Sequence, residues 1–246
     1  RIKVFEGTCL AACSSLARSA ANRASSCNRR CSSSRPKSLK ERMSFNKVYY
    51  HTIEHINNML LLCNRIVNKE KEFHNLELKE INLKNTDLKT VLKIPERLFY
   101  AILFHDVIYD VKNKYNELDS ANYFKSYAIE NNIKLSKEDM FIVSEMIYAT
   151  KNHKEINHDN ENIMLESMLL MDLDLSNLSS DFIIFNEDND NIVKEYQTFY
   201  TQEQVLQGRK KFLEGLLNKE QIYLTETFKK NESKVKQNIQ KKLLEL

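Results

Sequence analysis

A histidine and an aspartate stand side by side in an otherwise apolar run, Ala101-Ile102-Leu103-Phe104-His105-Asp106-Val107-Ile108-Tyr109. A charged aspartate buried without a partner costs several kcal/mol, so Asp106 calls for a counter-charge or a metal. Taken alone, a hydrogen-bonded His–Asp pair in a core meets that need. Two further clusters accompany it. His51 and His55 lie four residues apart in Tyr50-His51-Thr52-Ile53-Glu54-His55-Ile56, a spacing that stacks both on one helical face. Asp172 and Asp174 alternate with apolar residues in Leu170-Met171-Asp172-Leu173-Asp174-Leu175. The order is His, His-Asp, Asp, each cluster on a different expected helix. Imidazole nitrogens and carboxylate oxygens converging from several helices make a site for a divalent transition metal. The ion's charge then allows both aspartates to be buried. On residue type alone, His51 and His55 are equivalent candidates, as are Asp172 and Asp174.

Helices must bring these clusters together. Residues 45–68 read as a helix, with Ile53, Ile56, Met59 and Leu60 at helical spacing. Residues 69–93 are polar and irregular, a connector that holds His74. Pro95 suits the first turn of a helix running through Leu98, Ala101, Ile102 and His105 to about Tyr109. Residues 110–115 read as a loop. A helix over 116–131 turns Leu118, Ala121, Tyr123, Phe124 and Ala128 inward. Ser136 resembles an N-cap, with Glu138 and Asp139 in the first turn where the helix dipole favours acids, and a helix follows to about Thr150. Residues 153–160 are a polar loop, 162–173 a helix, and 181–191 a loop with an acidic end. Residues 192–218 and 219–246 finish the chain as one broken helix or two. Phe99, Tyr123, Phe141 and Tyr196 read as core.

Composition agrees with an all-α class. The chain of 246 residues has only three Gly and two Pro, the residues that sheets and tight hairpins consume. Apolar residues at 42% and charged residues at 29% suit a folded core and exclude disorder throughout. Uncharged apolar runs such as Met59 to Cys63 and Met168 to Met171 fall far short of the ~18–20 residues of a bilayer-spanning helix, so no membrane partner is expected.

The averages hide a break. Residues 1–42 form a basic Ser/Ala/Arg segment with ten Lys and Arg against two acids, a net +8, which leaves the body, 43–246, at −5 of the overall +3. The front segment is expected to be disordered, and three origins are open for it. It is a non-native extension, an organelle-targeting presequence of the Arg- and Ser-rich kind, or a zinc module built on the pairs Cys9/Cys13 and Cys27/Cys31. The last is disfavoured by the lack of core-forming residues around the pairs. Localisation follows the same fork: cytoplasmic for a chain beginning at Met43, organellar of mitochondrial type for a genuine presequence. A basic tail that binds nucleic acid would show affinity falling steeply with salt. Cys63 alone lies in the body and reads as a buried thiol.

The clusters belong to a longer series of motifs. It runs from Tyr50-His51-x3-His55-Ile56 through Phe104-His105-Asp106-Val107-Ile108-Tyr109-Asp110 to Asn116-Glu117-x2-Ser120-Ala121. Ile147-x2-Thr150-x2-His153 and Met171-Asp172-Leu173-Asp174-Leu175-Ser176-x-Leu178 follow, then Glu195-Tyr196 and Gly208-Arg209. In order and spacing, across roughly residues 45–245, this series resembles the HD superfamily of metal-dependent phosphohydrolases. More closely it resembles a family of predicted HD phosphohydrolases of unknown substrate.

The resemblance implies an HD-type helical bundle and a ligand set of His55, His105, Asp106 and Asp174 for one divalent metal ion (Mn, Mg, Fe, Co, Ni and Zn are not distinguished). His55 precedes an apolar helical stretch, as the superfamily's first ligand does, and Asp174 takes the place of its last aspartate. His51 and Asp172 then become partners that orient the ligands. His153 contacts the scissile phosphate or orders a water. A second ion held with His158 is the binuclear alternative. Glu117 handles the proton of the attacking water or serves only as a helix N-terminal acid. Arg209 offers a guanidinium fork that matches phosphate or makes a surface ion pair, and Gly208 lets its backbone approach a neighbour. The expected catalytic set is thus Glu117, His153, Asp172 and Arg209. The expected activity is hydrolysis of a nucleotide or small phosphate ester by a metal-activated water. The alternative is a non-catalytic HD-like domain that binds a nucleotide or a protein partner. No long basic stripe marks the acidic body as a binder of duplex nucleic acid.

Overall fold

A computed structural model describes residues 48–68 and 94–246. Among the described residues the fold is all-helical, with no strand. The elements are α1 (Ile53–Val67), α2 (Glu96–Phe104), α3 (Asn116–Glu130), α4 (Lys137–Ala149) and α5 (Glu161–Asp174), then α6 (Phe182–Gln197), α7 (Gln202–Leu217), α8 (Glu226–Lys229) and α9 (Glu232–Leu243). Short 3₁₀ turns at Thr150–Asn152 and Ser176–Ser179 follow α4 and α5. The front segment, the four cysteines in it, the 69–93 connector and His74 lie outside the described residues.

α2 is the central helix. Every residue from Leu98 to Phe104 is buried, because α1, α3, α4 and α5 pack around it. A helix apolar on all sides has no solvent face to offer and takes this position by default. Ile56, Met59, Leu60 and Cys63 of α1 join it, with Phe124 of α3, Val143, Met146 and Ile147 of α4, and Leu170, Met171 and Leu173 of α5. The one cation on α2 is neutralised where it emerges. Arg97 Nε and Nη2 donate to the two carboxylate oxygens of Glu166 at 2.9 and 2.8 Å, and Nη1 donates to Asp139 at 2.8 Å. This fork ties α2 to α5 and α4. α6, α7 and α9 form a second group around the turn Ser176–Ser179.

Side-chain caps close the starts of helices, that of α4 as expected. Ser136 Oγ accepts from Asp139 N at 2.9 Å, the N-cap of α4. Thr201 and Gln204 close a capping box at the start of α7.

Four expectations are corrected. α1 begins at Ile53, so His51 precedes the helix and shares no helical face with His55. α2 ends at Phe104, and His105 and Asp106 stand in the turn beyond it. Residues 181–191 are not a loop but belong to α6, whose Phe185 and Asn189 are buried four residues apart. The Asn/Asp-rich run Asn186-Glu187-Asp188-Asn189-Asp190-Asn191 masks that period with turn-forming residues. Finally, Leu118 and Phe141 are exposed, not core.

Candidate metal centre

Three separate breaks in the helical run deliver the candidate ligands. His55 projects from the first turn of α1, His105 and Asp106 from the turn that ends α2, and Asp174 from the last residue of α5. One ligand atom from each of the four lies within 4.8 Å of all the others. His55 Nε2 is 3.1 Å from Asp174 Oδ1, and His105 Nε2 is 3.1 Å from Asp106 Oδ2 and 3.6 Å from Asp174 Oδ1. Donors held about 2.0–2.2 Å from one ion sit about 3–4 Å from each other, so the group could hold a metal ion.

His105 decides the fit. Its Nδ1–H donates to Ile102 O at 3.0 Å, which leaves Nε2 carrying the lone pair. That nitrogen is buried and makes no hydrogen bond; it lies near both carboxylates and is aligned with neither. A metal ion held by these residues would give that nitrogen an aligned partner, which the two nearby carboxylates do not. The electrostatics point the same way. Burial pushes the Asp174 carboxyl up, but the imidazoles of His105, His153 and His55 outweigh it and hold it well below the usual carboxylate range. Burial pushes His105 down, but Asp106 and Asp174 outweigh it and raise it well above an ordinary histidine. Two buried carboxylates thus demand positive charge, as protons or as a metal.

A cavity of about 660 Å³ opens beside this group and is lined by Asp106 and Asp174. His153 lines it too, and its Nε2 lies 3.1 Å from Asp174 Oδ2, on the oxygen that His55 does not contact. The residue sits in the left-handed region at φ 47° and ψ 55°. For a side chain with a Cβ this costs about 1–3 kcal/mol, a strain that sets its ring against Asp174. Glu117, in the first turn of α3, and Arg209, on α7, also line the cavity. Arg209 Nε donates to Asn189 Oδ1 at 2.6 Å, and its guanidinium stacks 4.8 Å over the Phe212 ring. Burial pushes the guanidinium down to about 10. No carboxylate pairs with it among the described residues, so the surface ion pair is not formed.

Other candidates go elsewhere. Asp172 does not reach the cavity. Its Oδ1 accepts from Leu224 N at 2.7 Å, and its Oδ2 from Thr225 N and Oγ1 at 2.7 and 2.6 Å. It is a buried clasp between α5 and the lead-in to α8, so the catalytic expectation for it is corrected. Helical geometry explains the difference, because residues two apart on a helix point to different sides. His158 closes its own turn, its Nδ1 accepting from Asn160 N at 2.9 Å, and lies away from the cavity lining. Gly208 lines the cavity, but a Cβ there would meet nothing within 4 Å, so close backbone approach is not its reason. His51 lines the cavity and engages Glu195 in place of the four candidate ligands. Its Nδ1 is 2.7 Å from Glu195 Oε2, and its ring stacks on Tyr109 at 3.8 Å.

Tyr50, Asn177, Tyr196 and Tyr200 also line the cavity, and Asn189 and Glu195 bond to residues of its wall. Tyr50, Glu195 and Tyr196 stand in the motif series and Tyr196 reads as core, but none of the six has a functional role on sequence alone. The one signal for Glu195 is its place beside Tyr196 in the motif series. Compared with protein-family models, curated proteins and solved structures, the chain matches none. The functional reading therefore stands on the geometry of this cavity.

Proposed function

We propose that the chain is a metal-dependent phosphohydrolase of HD type acting on a nucleotide or small phosphate ester. One observation carries the reading: four candidate ligands converge, with the buried His105 Nε2 close to both carboxylates but in no aligned hydrogen bond, at a cavity that also holds an arginine with no carboxylate partner among the described residues. A metal end beside a lone guanidinium suits a phosphoryl group, which needs its charge neutralised on more than one side. His55, His105, Asp106 and Asp174 would hold a divalent cation, which would supply Lewis acidity and would lower the pKa of a bound water from about 15.7 towards 7.

The chain's own residues divide the remaining work. Arg209 orients the phosphate with a fork that Asn189 holds by one nitrogen. Glu117, with no bonded partner among the described residues, takes the proton of the attacking water. His153 holds Asp174 and through it the ligand geometry. The cavity volume lies within the ~300–1,000 Å³ of small-molecule sites. Tyr50, Tyr196, Tyr200 and Phe212 in its wall offer ring faces for a nucleobase.

The test is a screen of nucleotides and phosphate esters supplemented with Mn, Mg, Fe, Co, Ni or Zn, run on the wild type and on His105→Ala. Metal-dependent phosphate release that the variant lacks is the expected result. Failure of the wild type to bind any of the six ions in equilibrium dialysis sinks the reading.

A further inference from the structure

α6 holds two polar side chains that are almost wholly enclosed, Asn189 and Glu195, each 1% exposed. Buried polar groups of this kind need their bonds satisfied. Here each of the two bonds to residues that line the cavity: Asn189 to Arg209, and Glu195 to Tyr50 and His51. Asn189 Nδ2 donates to Phe185 O at 2.6 Å, which fixes the amide so that Oδ1 faces Arg209 Nε, also at 2.6 Å. With Nε held and the guanidinium carbon 4.8 Å from the Phe212 ring centroid, the two terminal nitrogens, which bond to no side chain among the described residues, remain for an anion. That is the geometry of bidentate phosphate or carboxylate binding.

Glu195 grips the opposite wall. Its Oε1 accepts from three successive backbone N–H groups, those of Tyr49, Tyr50 and His51, at 2.7, 2.5 and 3.0 Å. Its Oε2 receives His51 Nδ1 at 2.7 Å. The segment so held carries Tyr50 and His51 into the cavity wall. The two grips are six residues apart, about 9 Å along the helix axis at 1.5 Å per residue. Ile192, Val193 and Tyr196 of the same helix line the cavity near them. A third contact belongs to the set: Asp188 Oδ2 accepts from Asn177 Nδ2 at 3.1 Å, and Asn177 also lines the cavity.

We propose that α6 is the spacer of the substrate cavity, with Asn189 the positioning residue of an anion subsite at Arg209 and Glu195 the positioning residue of the Tyr50–His51 wall. The identity of the anion as a phosphoryl group rests on the phosphohydrolase reading; the spacer does not. Asn189 aims the guanidinium. Glu195 selects the His51 tautomer with the proton on Nδ1, so that Nε2 is the ring nitrogen free for the cavity.

The full chain tests both grips with inorganic phosphate and Mn²⁺ as probes in calorimetry. Asn189→Asp places a carboxylate against the guanidinium, where it competes with the anion. Phosphate affinity is expected to fall by about tenfold or more, the loss of one charge-assisted contact, with Mn²⁺ affinity unchanged. Asn189→Leu, which frees Arg209 without adding charge, is expected to give a smaller fall in the same direction and serves if the first variant does not fold. Glu195→Gln turns an amide N–H₂ toward His51 Nδ1 and is expected to switch the tautomer, read from the imidazole ¹⁵N shifts, while phosphate and Mn²⁺ affinities hold. A merely structural role would lower the melting temperature and leave phosphate affinity and tautomer where they were, and that result overturns the proposal. Phosphate binding by the wild type without any metal-dependent turnover would overturn the phosphohydrolase reading instead and leave the subsite standing.

Discussion

The two sides of the cavity are built in opposite ways. The candidate metal side takes polar residues out of apolar stretches: His55 beside Ile56, His105 and Asp106 after Phe104, Asp174 between Leu173 and Leu175. Each stands at a helix end or in a turn, where the backbone can aim it. The α6–α7 side takes its key groups from the middle of helices and from a polar run, with Asn189 flanked by Asp188 and Asp190. A charge set among apolar neighbours announces that something must compensate it. A buried amide among exposed amides and acids announces nothing. The contrast separates groups recruited for their chemistry from groups recruited to hold others in place, and substitutions on the two sides should fail differently.

The largest effect is expected for Asp106→Ala. Removing a hydrogen-bond partner outside the ligand set typically costs ~10–100-fold in metal affinity, and loss of a ligand exceeds that. Mn²⁺ binding should drop below detection in dialysis while the fold without metal survives with only a modest fall in melting temperature, because His105 loses its Asp106 partner but keeps Asp174. A melting temperature that collapses with Asp106 would make it a core residue and break the contrast.

Asp172→Ala should fail in the other manner. The carboxylate serves Leu224 N, Thr225 N and Thr225 Oγ1, and its removal strands these donors in the interior. A loss of about 3 kcal/mol of stability is expected, read by urea denaturation, with the Mn²⁺ affinity of the folded protein unchanged. Asp172 and Asp174 are two residues apart in one helix, so this pair of variants places the boundary between scaffold and site within a single turn.

Legibility in the sequence follows the same division. The all-helical class was readable from scarce Gly and Pro, and α3, α4 and α5 from their apolar period. His55, His105, Asp106 and Asp174, brought together here, were named from their context and from the motif resemblance. The choice between Asp172 and Asp174 needed that resemblance, since both sit among leucines and only the fold shows which one finds backbone donors. The His51 spacing misled because helix geometry was extended back over residues that Glu195 holds in a non-helical bend. α6 was half missed for a physical reason. Asn and Asp carry turn propensity, and the buried positions Phe185 and Asn189 are too few to show a period against it. The role of Glu195 depends on a contact 144 residues away, which no local pattern encodes.

The smallest expected effect lies on the α7 wall, at Gly208. This residue occupies the interior of α7, where glycine is about 0.8–1.0 kcal/mol less favourable than alanine. No neighbour demands the absence of a side chain, since a Cβ would meet nothing within 4 Å, yet the residue lines the cavity beside Arg209. Gly208→Ala should therefore raise stability by about 1 kcal/mol, or about 2–4 °C in melting temperature for a domain of this size, with Mn²⁺ affinity untouched. Gly208→Leu should keep most of that gain, because leucine is also a good helix former, while its side chain takes up cavity space and weakens phosphate binding. The two variants together separate backbone from cavity. A gain in stability with full phosphate affinity for both would show that the space above Gly208 serves no ligand. A loss of stability in the alanine variant would mean that α7 does not run as a regular helix through this wall.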